Sequence, residues 1–82
     1  MAANQKYKNY LHDLGHLIKE RALQATKERS LERKNSREYF YESGRVMAFN
    51  EVITIMQQQA LAFGIQLKEL QLDDITPDKD LV

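Results

Sequence analysis

Proline is absent from this chain before position 77, and glycine occurs only at positions 15, 44 and 64. Because proline and glycine are the residues that most disfavour a helix interior, nearly the whole chain is free to be helical. The spacing of the apolar residues then indicates where helices form and which face each helix buries. We therefore predict an all-α fold.

The first helix is predicted over about residues 5–31. Its apolar residues recur at steps of three or four positions, which places them on one face of an amphipathic helix. They are Tyr7, Leu11, Leu14, Ile18, Ala22 and Ala25. Between Thr26 and Glu38 the only large apolar residue is Leu31, so this stretch is predicted to hold the helix end and a solvent-exposed turn.

The second helix is predicted over about residues 36–63. Asn35 stands three positions before Glu38, a spacing typical of a capping box at a helix start. Gly64 suits the left-handed residue that often ends a helix. Two rows of mostly apolar residues repeat every seven positions and form one seam. The first row is Tyr39, Val46, Ile53 and Ala60, and the second is Glu42, Phe49, Met56 and Phe63.

The two helices are predicted to form an antiparallel hairpin. A single helix over residues 5–63 is the rival topology, but the apolar seam fades across residues 26–38. The second helix carries a further apolar row that includes Phe40, Met47 and Leu61, so one partner helix cannot cover it. We therefore predict that two copies assemble as a homodimeric four-helix bundle. The residues predicted at the oligomer interface are Val46, Phe49, Ile53, Met56, Ala60 and Phe63.

The end of the chain is harder to assign from its pattern. Residues 65–75 alternate between apolar and polar side chains, which suits either a short helix or an extended segment folded back on the hairpin. The acidic residues 76–82 are predicted to be a loose tail. We expect one small helical domain over residues 1–82, because a chain of this length does not build two cores.

The absence of cysteine removes several kinds of chemistry. Disulfides, thiolate zinc sites and iron–sulfur clusters all require that residue. The first ten residues are mostly polar, unlike a secretory signal, and no apolar run reaches the length of a transmembrane helix. We expect a cytoplasmic protein with no membrane partner.

The segment from His12 to His16 is the most suggestive for metal chemistry. Two histidines four positions apart lie on one helix face, a spacing similar to that of the HExxH zinc motif with Asp13 in place of the glutamate. Glu42 is the only acid on the core seam of the second helix and is the candidate third ligand. This divalent-metal site is the alternative hypothesis. The interpretation we prefer has no cofactor and places both histidines at the edge of the apolar stripe.

The middle of the chain is rich in lysine and arginine. Arg33, Lys34 and Arg37 are the candidates for contact with nucleic acid or another anion. Glu28 and Glu32 are interleaved with them and can form ion pairs on the same helix. The formal net charge of the chain is zero, so nucleic-acid binding remains a second alternative and is not the expected function.

Gly44 lies inside the second helix, four positions before Ala48, and this spacing predicts the close approach of a neighbouring helix. No nucleophile with a neighbouring base and no glycine-rich phosphate loop is present. We therefore predict a non-enzymatic interaction or regulatory module that acts as a homo-oligomeric scaffold. Its basic helix ends or acidic tail would contact an unidentified protein partner. Removal of residues 73–82 is then expected to abolish partner capture and leave the fold intact.

Overall fold

The computed structural model describes residues 3–82 as two long helices packed against each other, followed by a short C-terminal segment. Helix α1 spans Ala3–Ser30 and helix α2 spans Arg37–Ala62. A 3₁₀ turn at Leu67–Leu70 and a short helix α3 at Pro77–Asp80 complete the fold. The predicted all-α hairpin is confirmed, and no strand occurs among the described residues.

The start of α2 is capped by Ser36 rather than by the predicted Asn35. The backbone N–H of Tyr39 donates to the Ser36 hydroxyl oxygen over 3.1 Å. Asn35 has a φ of 69°, in the left-handed region that asparagine tolerates better than most residues. Asn35 therefore closes the turn, and the residue after it caps the helix.

The end of α2 at Gly64 is as the sequence predicted. Gly64 has a φ of 69°, which a residue with a Cβ adopts only at a cost. Its N–H donates to the carbonyl of Leu61 over 3.2 Å, and the N–H of Ile65 donates to the carbonyl of Ala60 over 2.8 Å. This pair of bonds is a Schellman motif, and it turns the chain back toward the hairpin.

The core lies where α1, α2 and the C-terminal segment meet. Two alanines of α1 are fully buried, and such small side chains let α2 approach closely. The 3₁₀ turn contacts both long helices, and α3 contacts α2. The buried apolar residues are Ala22, Ala25, Val46, Ile53, Ala60, Leu70, Leu72, Ile75 and Leu81. The last four belong to the C-terminal segment, which is therefore part of the core and not an appendage.

The acidic tail over residues 76–82 was expected to be loose, and this expectation is wrong. Leu81 is only 1% exposed. The side-chain amide of Asn50 donates to the carbonyl of Pro77 over 2.9 Å and to that of Leu81 over 3.1 Å. The tail is ordered because α2 supplies both an apolar site for Leu81 and donors for the tail's backbone.

A second amide on α2 holds the stretch before the tail. Gln57 donates to the carbonyl of Leu72 over 3.1 Å and to that of Ile75 over 2.9 Å. Asn50 and Gln57 are seven residues apart, so they lie on the same side of α2. Together they satisfy four backbone carbonyls of a segment with little regular structure. This pairing is what allows such a segment to be buried, since unpaired buried carbonyls are costly.

Candidate functional site

The face of α2 that points away from the core is an exposed and largely apolar surface. It comprises Arg37, Phe40, Tyr41, Gly44, Met47, Ala48, Glu51, Val52 and Ile55, all of them exposed. We call it the outer face of α2. The side chains of Phe40, Met47 and Ile55 are 60%, 64% and 59% exposed. Its only charged residues are Arg37 and Glu51, so the outer face is apolar over most of its length.

The outer face exists because α2 is apolar on two sides and the rest of the chain covers one of them. The row that contains Val46, Ile53 and Ala60 is turned inward and buried. The row that contains Phe40 and Met47 is turned outward. The Phe40 ring makes an edge-to-face contact with the ring of Tyr39, with ring centroids 6.0 Å apart.

The residues predicted at the oligomer interface lie mostly inside the hairpin. Val46, Ile53 and Ala60 are buried within the chain itself. Phe49 and Met56 are half-buried and pack against the core. Only the sixth, Phe63, is a free surface residue, at 75% exposed. The seam on which the interface was predicted is thus used within the chain itself, and the outer face of α2 stays exposed.

Gly44 is not the glycine that another part of the chain approaches. A Cβ built at Gly44 would meet nothing within 4 Å. A Cβ built at Gly15 would lie 1.9 Å from the carbonyl oxygen of Leu70. The close approach predicted at Gly44 and Ala48 therefore occurs instead at Gly15, where the 3₁₀ turn sits on α1. Gly44 and Ala48 form a small, flat and open part of the outer face.

The two histidines of the candidate metal site make separate contacts. The Nδ1 atom of His12 lies 3.0 Å from the amide nitrogen of Gln71. The Nε2 atom of His16 lies 3.0 Å from a carboxylate oxygen of Glu20, while its buried Nδ1 has no hydrogen-bond partner among the described residues. His12 therefore contacts the C-terminal segment, and His16 contacts a residue of its own helix.

Glu42 lies far from the histidines. Its carboxylate is 2.7 Å from Arg45, and the same Arg45 nitrogen is 2.6 Å from Glu28 on α1. Glu28 is twelve residues beyond His16 on the same helix, or roughly 18 Å at 1.5 Å per residue. The structure therefore does not bring His12, His16 and Glu42 together. Across residues 3–82 no cluster of three or more His, Asp or Glu is suited to hold a metal ion.

Arg45 joins α1 to α2 through the two carboxylates of Glu28 and Glu42. Its hydrogen bonds, first to Glu28 and then to Glu42, raise the pKa of the guanidinium above its usual value. The hydrogen bond from Arg45, followed by one from Gln24, lowers the pKa of Glu28. Farther along α1, Lys19 donates to Asp74 over 2.8 Å and lowers the pKa of that carboxyl. Both contacts tie together parts of the chain that are distant in sequence.

These two carboxylates are expected to make the fold acid-sensitive. In the folded chain the pKa values of Glu28 and Asp74 lie below their ordinary values of 4.5 and 3.8. Their contribution to stability is therefore present above those values and is lost as the pH falls through the lower, folded-state values. The urea concentration at the midpoint of unfolding should fall as the pH is lowered from 7 to 3. In Glu28→Gln the midpoint should depend less on pH than in the parent chain.

The matched control for this measurement is Glu32→Gln. Glu32 lies near the same end of the hairpin and has no ion-pair partner in the described part of the chain. Its substitution should leave the pH dependence as in the parent chain. Equal slopes for the parent, the Glu28 variant and the Glu32 variant would contradict a role for the Glu28–Arg45 pair.

The three candidate anion-binding residues lie together at the turn end of the hairpin. Arg33 and Lys34 are in the turn, Arg37 begins α2, and all three are exposed. None of them has an ion-pair partner among residues 3–82. Arg37 is also the basic end of the outer face of α2. The arrangement places three exposed cations at the turn end of the hairpin.

A second apolar surface lies at the open end of the hairpin, where the N-terminal half of α1 and the C-terminal end of α2 meet the 3₁₀ turn. It is lined by Leu11, Met56, Gln59, Ala60, Phe63, Ile65 and Leu70. This surface could not be located from the sequence, because its residues come from separate elements of the chain. The residues that signal it are Phe63 and Leu11, large apolar side chains that are 75% and 37% exposed.

Comparison of the chain with protein-family models, curated proteins and solved structures finds no match. None of the helices in the described region is long and apolar enough to cross a membrane. What the chain can bind therefore follows from its surfaces, and the outer face of α2 is one apolar surface available for contact.

Proposed function

We propose that this chain is a non-enzymatic helical interaction module that self-associates through the outer face of α2. Two hairpins paired in this way form a homodimeric four-helix bundle, in which each copy contributes α1 and α2. The observation that supports the proposal is the exposure of an apolar strip along one face of α2, which carries Phe40, Tyr41, Met47, Val52 and Ile55. Soluble monomers rarely leave such a strip uncovered.

The total surface of the chain supports self-association. The structure exposes 6218 Å². A compact monomer of the same mass, 9.6 kDa, exposes about 5,100 Å². The excess is comparable to the roughly 800 Å² that each partner buries in a protein interface of standard size. A second copy on the outer face of α2 would bring the surface per chain close to that of an ordinary globular protein.

The composition of the outer face also suits a homodimer. Homodimer interfaces are richer in apolar area than the rest of a protein surface and are enriched in aromatic residues and methionine. The outer face carries Phe40, Tyr41 and Met47 within two helical turns. Burial of such side chains is worth on the order of 1.5–3 kcal/mol each, before the cost of association is subtracted.

Placing a charge on the outer face is expected to prevent association. We expect the parent chain to change from monomer to dimer as its concentration rises, and Met47→Glu to remain at 9.6 kDa over the same range. The reason is that a buried carboxylate without a partner is strongly unfavourable. Sedimentation equilibrium measures this directly, and the affinity should fall by at least about tenfold, or 1.4 kcal/mol.

The matched control is Leu17→Glu on α1. Leu17 is 55% exposed, close to the 64% of Met47, but it lies outside the outer face of α2. It introduces the same new charge and should leave association unchanged. A parent chain that stays monomeric at every concentration, or equal effects of the two variants, would contradict the proposal.

A further inference from the structure

We infer that the second copy docks antiparallel on the outer face of α2, with the two α2 helices crossing at Gly44 and with Arg37 of each copy meeting Glu51 of the other. This inference rests on the proposed self-association and adds the orientation and register of the two chains. It follows from how the charges and the side-chain sizes are arranged around Gly44.

The two charges of the outer face are placed symmetrically about Gly44. Arg37 is seven residues before it, and Glu51 is seven residues after it. Seven residues are close to two helical turns, so all three positions lie on one side of α2, with each charge roughly 10 Å from the glycine along the axis. In an antiparallel pair with its two-fold axis at Gly44, Arg37 of one copy is level with Glu51 of the other.

Both charges are available for such a pair. Arg37 and Glu51 are exposed, and neither has a hydrogen-bond or ion-pair partner among the described residues. The other arginine in the first half of α2, Arg45, is already bonded to two carboxylates of its own chain. A crossing at Ala48 would place Glu51 opposite that occupied arginine. The crossing at Gly44 is the arrangement that gives both free charges an opposite partner.

The sizes of the side chains between the charges fit the same register. At three residues from Gly44, Tyr41 faces Met47 of the other copy. At four residues, Phe40 faces Ala48, so a large side chain meets a small one. At the centre, Gly44 faces Gly44, which lets the two backbones come close. An open glycine in the interior of α2 costs helix stability, and the close approach of a second copy explains its presence.

Disulfide crosslinking is the test of the register, and the chain suits it because it contains no cysteine. Under mild oxidation the cysteine of Gly44→Cys should form a disulfide with the same cysteine of the second copy, and the yield should rise with protein concentration. Val52→Cys, also on the outer face, should not. In the proposed register the two copies of position 52 are roughly 24 Å apart along the axis, and a disulfide requires Cα atoms within about 7 Å.

Charge reversal provides a second measurement that introduces nothing at the crossing point. Arg37→Glu and Glu51→Arg should each weaken the dimer about tenfold, because two attractive contacts become repulsive in a symmetric pair. The double variant should recover the parent affinity. Each is read by sedimentation equilibrium, with circular dichroism as the check that the hairpin remains folded.

The outcomes separate this inference from the proposed function. A dimer that crosslinks at position 52 instead of 44, or that is not restored in the double charge variant, overturns the register while self-association stands. A chain that stays monomeric overturns both. Crosslinking at 44 alone together with restoration in the double variant supports the antiparallel arrangement.

Discussion

Replacement of Gly15 with alanine is expected to destabilise the fold by about 2–3 kcal/mol, the upper part of the range for overpacking a tight site. The new Cβ would lie 1.9 Å from the carbonyl oxygen of Leu70 and 2.9 Å from its carbonyl carbon. Both atoms belong to the backbone, so a rotamer change cannot relieve the overlap. The 3₁₀ turn must move away from α1, and Leu70, now 5% exposed, must lose part of its burial.

The measurement is urea unfolding followed by circular dichroism, with Gly44→Ala as the matched control. Both substitutions change a glycine in the interior of a long helix, but a Cβ at Gly44 would meet nothing within 4 Å. At protein concentrations below the range of the proposed self-association, Gly44→Ala should stabilise the fold by up to about 1 kcal/mol through helix propensity. Shifts of the same sign for both variants would show that the contact between Gly15 and Leu70 does not hold the 3₁₀ turn in place.

Local signals in the sequence were sufficient to predict the hairpin. The steps of three and four between apolar residues, from Tyr7 through Ala25, depend only on helical geometry, which neighbours in sequence determine. Gly64 was predictable for the same reason, because the left-handed residue after a helix depends on the chain within one turn. The helix start was predicted one residue early, since Asn35 and Ser36 are both good capping residues and only the turn geometry chooses between them.

Contacts between distant parts of the chain were not predictable in this way. Two apolar rows run along α2, and periodicity alone does not indicate which of them the rest of the chain covers. The row of Val46 is buried because the two alanines of α1 and the C-terminal segment pack there. The row of Met47 is left outside, and the surface available to a partner therefore differs from the one predicted.

The separation of His12 and His16 from Glu42 was not predictable for a related reason. Spacing of four residues places His12 and His16 on one face of one helix, but it carries no information about what faces them. Glu42 was assigned to the same site because it lies on the core seam of α2. The antiparallel hairpin places Glu42 level with Glu28, far along α1 from both histidines. A third ligand can be located only when the register of the two helices is known.

The role of the C-terminal segment is the largest difference between sequence and structure. Its charges and its position at the chain end indicated a solvated tail, but Leu72, Ile75 and Leu81 are in the core. The signal that could have located it is the pair Asn50 and Gln57, two amides on one side of an otherwise apolar helix. Amides at the edge of an apolar face are suited to satisfy the backbone of an irregular segment that docks beside it.

Deletion of residues 73–82 is accordingly expected to unfold the chain or leave it only partly folded. The deletion removes the buried Ile75 and Leu81, and it breaks the Lys19–Asp74 ion pair. Truncation of one buried leucine or isoleucine to alanine typically costs about 2–5 kcal/mol. A chain of this size has a total stability of roughly 4–12 kcal/mol, so the loss of two such residues is comparable to the whole.

The matched control keeps the packing and removes only charge. Asp73 and Asp78 are exposed, and no hydrogen bond or ion pair of their side chains is found in the described chain. Asp73→Asn together with Asp78→Asn should therefore change the free energy of unfolding by no more than about 0.5 kcal/mol. Circular dichroism and thermal unfolding of the truncated chain and of the double aspartate variant, each compared with the parent, measure the two changes in stability.

If the truncated chain unfolded cooperatively at the parent midpoint, residues 73–82 would be an acidic appendage, as their composition alone suggests. If it does not fold while the charge variant does, any loss of partner binding in the truncated chain reports the loss of the core and not of a docking tail.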